Sequence, residues 1–119
     1  MGIFGKPFGN NNDQDDEPVE HAVIVYFSYG RTDLSELFAL EEKLEKAIAD
    51  AGAGEFDGNE VATDGSDGTL YMYGPDANAL FAAVRSALEA CPFMKGARAK
   101  LRFGPLEDGV KEIEVEIGT

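Results

Sequence analysis

The sequence predicts an α+β domain of ferredoxin-like design, β-α-β-β-α-β plus an extra C-terminal edge strand, with two helices on one face of a five-stranded, mostly antiparallel sheet. Three observations predict it. Two stretches carry apolar residues at helical spacing, Leu37, Leu40, Leu44, Ile48 and Ala51 in one, Leu80, Phe81, Val84, Leu88 and Cys91 in the other. The C-terminal stretch alternates with period two on both sides of a Gly-Pro turn. The two halves also echo each other: Tyr29-Gly30 leads to Asp33 and Leu37-Phe38, as Tyr73-Gly74 leads to Asp76 and Leu80-Phe81. Two related β-α-β units with right-handed crossovers place strands one and three in the centre and give the order 5-4-1-3-2.

The elements follow from the N-terminus. Residues 1 to 18 end in an Asn- and Asp-rich run with nothing to bury, and read as a flexible acidic tail before a single domain over 19 to 119. Val19 to Tyr29 is β-branched and aromatic at every second position on both phases, as in a central strand. Asp33 with Glu36 matches a capping box for the first helix, which Gly52 ends, and Glu42 and Lys46 are spaced to pair on its wet side. Residues 54 to 63 form a glycine-interrupted edge strand, turned by Asp64-Gly65-Ser66-Asp67-Gly68 into strand three, Thr69 to Tyr73. Asp76 caps the second helix and Pro92 stops it. Ala97 to Phe103 and Lys111 to Ile117 make the closing hairpin.

Charge excludes several classes of partner. Ten Lys and Arg against 23 Asp and Glu leave a net charge of -13, which opposes nucleic acid and anionic membrane over most of the surface. No run approaches the ~18 apolar residues of a membrane span, and the first residues lack the apolar core of a signal peptide. The single cysteine rules out an intrachain disulfide and fits a reducing, cytoplasmic setting.

The sheet face without helices is where a functional surface is expected. Arg98, Lys100 and Arg102 alternate with apolar residues on strand four, and Glu112, Glu114 and Glu116 do so on strand five. Pairing Arg102 with Glu112 brings Lys100 to Glu114 and Arg98 to Glu116, a charge zipper that sets the register. Tyr71 and Tyr73 share that face. Strand one contributes either Phe27 and Tyr29 or Tyr26, and the internal echo favours Phe27 and Tyr29. The candidate binding residues are therefore Phe27, Tyr29, Tyr71, Tyr73, Arg98, Lys100 and Arg102. Aromatics beside cations resemble an RNA-binding platform in arrangement, but strand three lacks the Lys/Arg-Gly-aromatic motif.

Catalytic signals are sparse. His21 is the only histidine and has no orienting partner legible in the sequence. Cys91 sits on an apolar helical stripe, as a buried and quiet thiol would. Asp57-Gly58-Asn59-Glu60 and Asp64-Gly65-Ser66-Asp67 suit turns and do not follow a calcium-loop pattern. No phosphate loop, nucleophile elbow or dinucleotide fingerprint is present, so no cofactor and no metal is expected.

Gly54-Glu55-Phe56-Asp57-Gly58-Asn59-Glu60, Tyr71-Met72-Tyr73-Gly74-Pro75-Asp76, and Phe103-Gly104-Pro105 with Asp108-Gly109-Val110 resemble segments of a family of small bacterial proteins without assigned function. The resemblance covers residues 20 to 117 and implies a bacterial, cytoplasmic origin but no activity. The expected function is a non-enzymatic module that holds an unknown protein partner or a second copy of itself, through the open face or an edge strand. The alternatives are an acidic inhibitor or immunity-type protein masking a basic partner, and an enzyme with a scattered site.

Overall fold

The computed structural model describes residues 20–118; the tail expected over residues 1 to 18 lies outside them. In chain order the elements are β1 (His21–Ser28), α1 (Ser35–Ala51), β2 (Glu55–Val61), β3 (Asp67–Gly74), α2 (Ala77–Ala90), β4 (Arg98–Arg102) and β5 (Glu112–Glu116). A 3-10 turn, Pro92–Met94, joins α2 to β4. The five strands form one sheet in the order β2-β3-β1-β4-β5, every neighbouring pair antiparallel. The order is the one expected.

Alternation decides which side of each strand meets the helices. Val23, Val25 and Phe27 of β1 lie opposite Met72, Leu70 and Gly68 of β3, and Val23 and Val25 lie opposite Leu101 and Ala99 of β4. These side chains form one buried cluster with Leu37, Leu40, Leu44 and Ile48 of α1 and Leu80, Phe81, Val84 and Leu88 of α2. The two helices touch each other, so both sit on this one face. Burying a Leu, Val or Phe side chain stabilises by roughly 1.5–3 kcal/mol, and this cluster is where most such burial occurs.

The two helices begin differently. Asp76 caps α2 as expected, accepting from the amides of Asn78 (2.9 Å) and Ala79 (3.4 Å). The capping box expected for α1 does not form: the N-cap position is Leu34, with no side-chain cap. Asp33 instead accepts from the Ser35 amide at 2.9 Å, which holds its carboxyl below the ordinary range, and Glu36 pairs with Arg31 rather than with the backbone. The chain is one residue out of phase for the box. Gly52 ends α1 in the left-handed conformation at φ 61°, as expected of a glycine there. Lys46 reaches forward to Asp50 (3.1 Å), not back to Glu42, and Ala51 is exposed beyond the end of the apolar stripe.

Cys91 departs from its expected place. Pro92 lacks an amide and clashes with a preceding helical turn, so α2 stops at Ala90 and Cys91 becomes an extended C-cap residue, half-buried rather than buried. Burial still pushes its thiol upward, away from the reactive thiolate.

Candidate functional site: the open sheet face

The register aligns the uncovered side chains in three rows across the sheet. One row runs Glu55, Tyr73, Ala22, Arg102, Glu112; the next Gly58, Tyr71, Ile24, Lys100, Glu114; the third Glu60, Thr69, Tyr26, Arg98, Glu116. Aromatic and aliphatic groups occupy the middle strands except at Thr69. A cation and then a glutamate follow toward the β5 edge in every row, and glutamates return at the β2 edge in two of them. Two edge carboxylates and the cations of Arg98 and Lys100 thus border an apolar centre.

Tyr26 is the exposed member of that centre, 41% accessible, with Lys100 Nζ 5.8 Å from its ring centroid. Ile24 and Tyr71 are half-buried in the next row, and Tyr73 is half-buried in the row beyond. The Tyr71 hydroxyl donates to Glu60 Oε1 at 2.7 Å, and this bond, with the Glu60 charge, pushes its pKa up to about 12. Ala22 has no exposure at all between Tyr73 and Arg102, its neighbours in the two ladders.

Two of the expected site residues lie elsewhere. Phe27 (4% exposed) and Tyr29 (5%) belong to the core, in an aromatic cluster with Phe93 whose ring centroids are 5.0–6.3 Å apart. Tyr26 takes the open face in their place. The cause is register: β1 pairs with β3 so that Phe27 lies opposite Gly68 beneath the helices and Tyr26 opposite Thr69 on the open side, and Tyr29 continues the phase of Phe27. The Tyr29 hydroxyl, turned inward, donates to the Asp33 carbonyl at 2.5 Å.

The charge zipper has the expected register and different contacts. Arg98 faces Glu116, Lys100 faces Glu114 and Arg102 faces Glu112. The ion pairs run diagonally, Arg98 to Glu114 and Lys100 to Glu112, both at 4.0 Å between exposed or half-exposed groups, and contribute little. Arg102 is buried, and its Nε donates to the Gly104 carbonyl at 2.7 Å. It anchors the β4–β5 loop and is not an open cation.

His21 has a role the sequence did not signal. It begins β1, stacks edge-on against Phe103 (5.8 Å), and its Nδ1 accepts from the Ala77 amide at 3.0 Å, tying the central strand to the first turn of α2. Asp64 accepts from the Ser66 amide at 3.0 Å within its turn, and Asn59 donates to Glu41 of α1 at 2.5 Å, so both of the Asp/Asn-rich segments make structural contacts. Among the described residues no helix is long and apolar enough to cross a membrane. No protein-family model and no curated protein matches the chain.

Proposed function

We propose that this chain is a non-enzymatic protein-binding module, a ferredoxin-like unit enlarged by β5, whose open sheet face holds a protein surface or a second copy of itself. One observation carries the reading: Tyr26, 41% exposed, ends an apolar band that runs through Ile24 and Tyr71 to Tyr73, with charged groups on both flanks. Tyrosine gives large apolar area at small entropic cost, and an apolar centre rimmed by charges that exclude water is how protein contacts concentrate their energy. The parallel cation and glutamate stripes are also self-complementary, since a twofold rotation can set the cations of one copy against the glutamates of the other. With the single Cys91 half-buried and its thiol pushed up, a reducing cytoplasm suits the protein.

Sedimentation and partner capture with the wild type, Tyr26→Ser and Tyr71→Ala test the reading. Both substitutions are expected to weaken association about tenfold or more; Tyr26→Ser leaves the melting temperature nearly unchanged, and Tyr71→Ala lowers it through the lost bond to Glu60. Wild-type protein that remains monomeric and captures no protein, or association indifferent to both substitutions, would overturn it.

A further inference from the structure

The outer edge of β5 is a second surface, which adjoins the glutamate row of the face just described. Its hydrogen-bonding phase follows from the bonds that close the hairpin: Phe103 donates to Lys111 and Ile117 donates to Ala97, each at 2.8–2.9 Å. In an antiparallel ladder bonded and non-bonded pairs alternate, so Ile113 and Val115 turn their backbone groups toward β4. The N–H and C=O groups of Glu112, Glu114 and Glu116 therefore point away from the sheet, along an edge that no other described strand covers.

The side chains on this edge are two-faced. Glu112, Glu114 and Glu116 stand exposed on the open side. On the other side Ile113 is 40% exposed and Val115 half-buried, because α2 packs over β1, β3 and β4 and does not reach β5. The opposite edge, β2, is blunted by a bulge between Phe56 and Gly58, a common protection against strand addition. β5 has no bulge. Pairing β5 with β5 of a second copy would set glutamates against glutamates, which opposes self-association by this edge.

We propose that the β5 edge binds an extended peptide segment in which basic and apolar residues alternate, added to the sheet as a sixth strand. The strand already paired with β5 has that chemistry: β4 sets Arg98 and Lys100 4.0 Å from Glu114 and Glu112, and Ala99 and Leu101 opposite Val115 and Ile113. A basic strand on the outer side repeats the pattern, covers Ile113, and is drawn in by a protein of net charge -13.

The test uses the full chain and two labelled peptides, one alternating Lys with Val and one alternating Glu with Val, with binding followed by anisotropy and amide protection by hydrogen exchange. The Lys/Val peptide is expected to bind and to protect the amides of Glu112, Glu114 and Glu116, and the Glu/Val peptide is expected not to bind. Glu114→Pro removes an outward-facing donor that the sheet does not use, so the fold is retained while affinity falls about tenfold or more. Glu114→Lys leaves the backbone edge intact and is expected to cause a similar loss through charge, which decides the matter should the proline variant fail to fold. Tyr26→Ser is expected to leave peptide affinity unchanged. Binding without protection of the three amides, or binding indifferent to Glu114→Lys, overturns the edge. Loss of peptide binding in Tyr26→Ser alone would assign the peptide to the open face, refuting the edge while sparing the face.

Discussion

Arg102 stands directly opposite Glu112 in the β4–β5 ladder and does not bond to it: the guanidinium turns along its own strand to the Gly104 carbonyl, 2.7 Å away, and the residue is 6% exposed. The two partners of an apparent ion pair should therefore behave very differently. Arg102→Ala removes a buried stem and strips the Gly104 carbonyl of its donor, with an expected loss of about 2 kcal/mol or more. Glu112→Gln is expected to change stability by less than about 0.5 kcal/mol. Urea unfolding of the two variants checks this, and equal losses would mean that the ladder pair matters after all.

Phe27 and Gly68 face each other between β1 and β3, and the ring fills the space a side chain would occupy. A Cβ on Gly68 would lie 2.4 Å from Phe27 Cζ and 2.8 Å from both Cε atoms. Gly68→Ala is expected to cost roughly 1–3 kcal/mol through overpacking. Phe27→Ala is expected to cost about 3–5 kcal/mol. In the Gly68→Ala background Phe27→Leu should cost less than it does alone, by about 0.5 kcal/mol or more, because the ring is then the source of the strain. Additive losses in a thermal or denaturant double-mutant cycle would contradict the contact.

The same pair of strands explains how far the sequence could be read. β3 alternates Leu70 and Met72 with Tyr71 and Tyr73, so its buried and open faces are legible by polarity. β1 offers no such contrast, since Val23, Val25 and Phe27 are no more apolar than Ile24 and Tyr26. Only the register against β3 distinguishes them. The internal echo located both helices correctly, because Leu37 and Leu80 are each fully buried. It failed for the tyrosines, where Tyr29 follows the end of β1 and Tyr73 lies within β3, and for Phe38, 51% exposed where Phe81 is buried. Arg102 and His21 were illegible for another reason. Their partners are backbone groups of Gly104 and Ala77, and backbone partners leave no trace in residue type.

The His21–Ala77 contact supplies a donor's partner at the start of α2, next to the two amides that Asp76 satisfies. Because Nδ1 accepts, the neutral ring must carry its proton on Nε2, and nitrogen chemical shifts are expected to show that tautomer. His21→Phe keeps an aromatic edge against Phe103 and removes the acceptor, with an expected cost of about 1 kcal/mol. Asp76→Ala is expected to cost a similar amount, about 1 kcal/mol. An Nδ1-protonated ring would disprove the contact, whatever the stability of the variants.

Tyr71 and Glu60 give the open face a measurable alkaline signature. The tyrosine hydroxyl donates to the carboxylate at 2.7 Å, a bond that the ionised form cannot make, and the Glu60 charge further opposes that ionised form. Its pKa is raised from 10.0 to about 12, so the folded state holds this proton more tightly than the unfolded chain does. The stability from this bond is fully present below the unfolded value near 10 and is lost as the pH rises through the folded value near 12. Ultraviolet titration is expected to resolve a tyrosine ionising near pH 12 in the wild type. In Glu60→Gln, which removes the charge and keeps the size of the side chain, the same tyrosine should titrate lower, and in Tyr71→Phe the late ionisation should vanish. A late ionisation that persists in Tyr71→Phe belongs to another residue, and the row that joins Glu60 to the open face would lose its link to Tyr71.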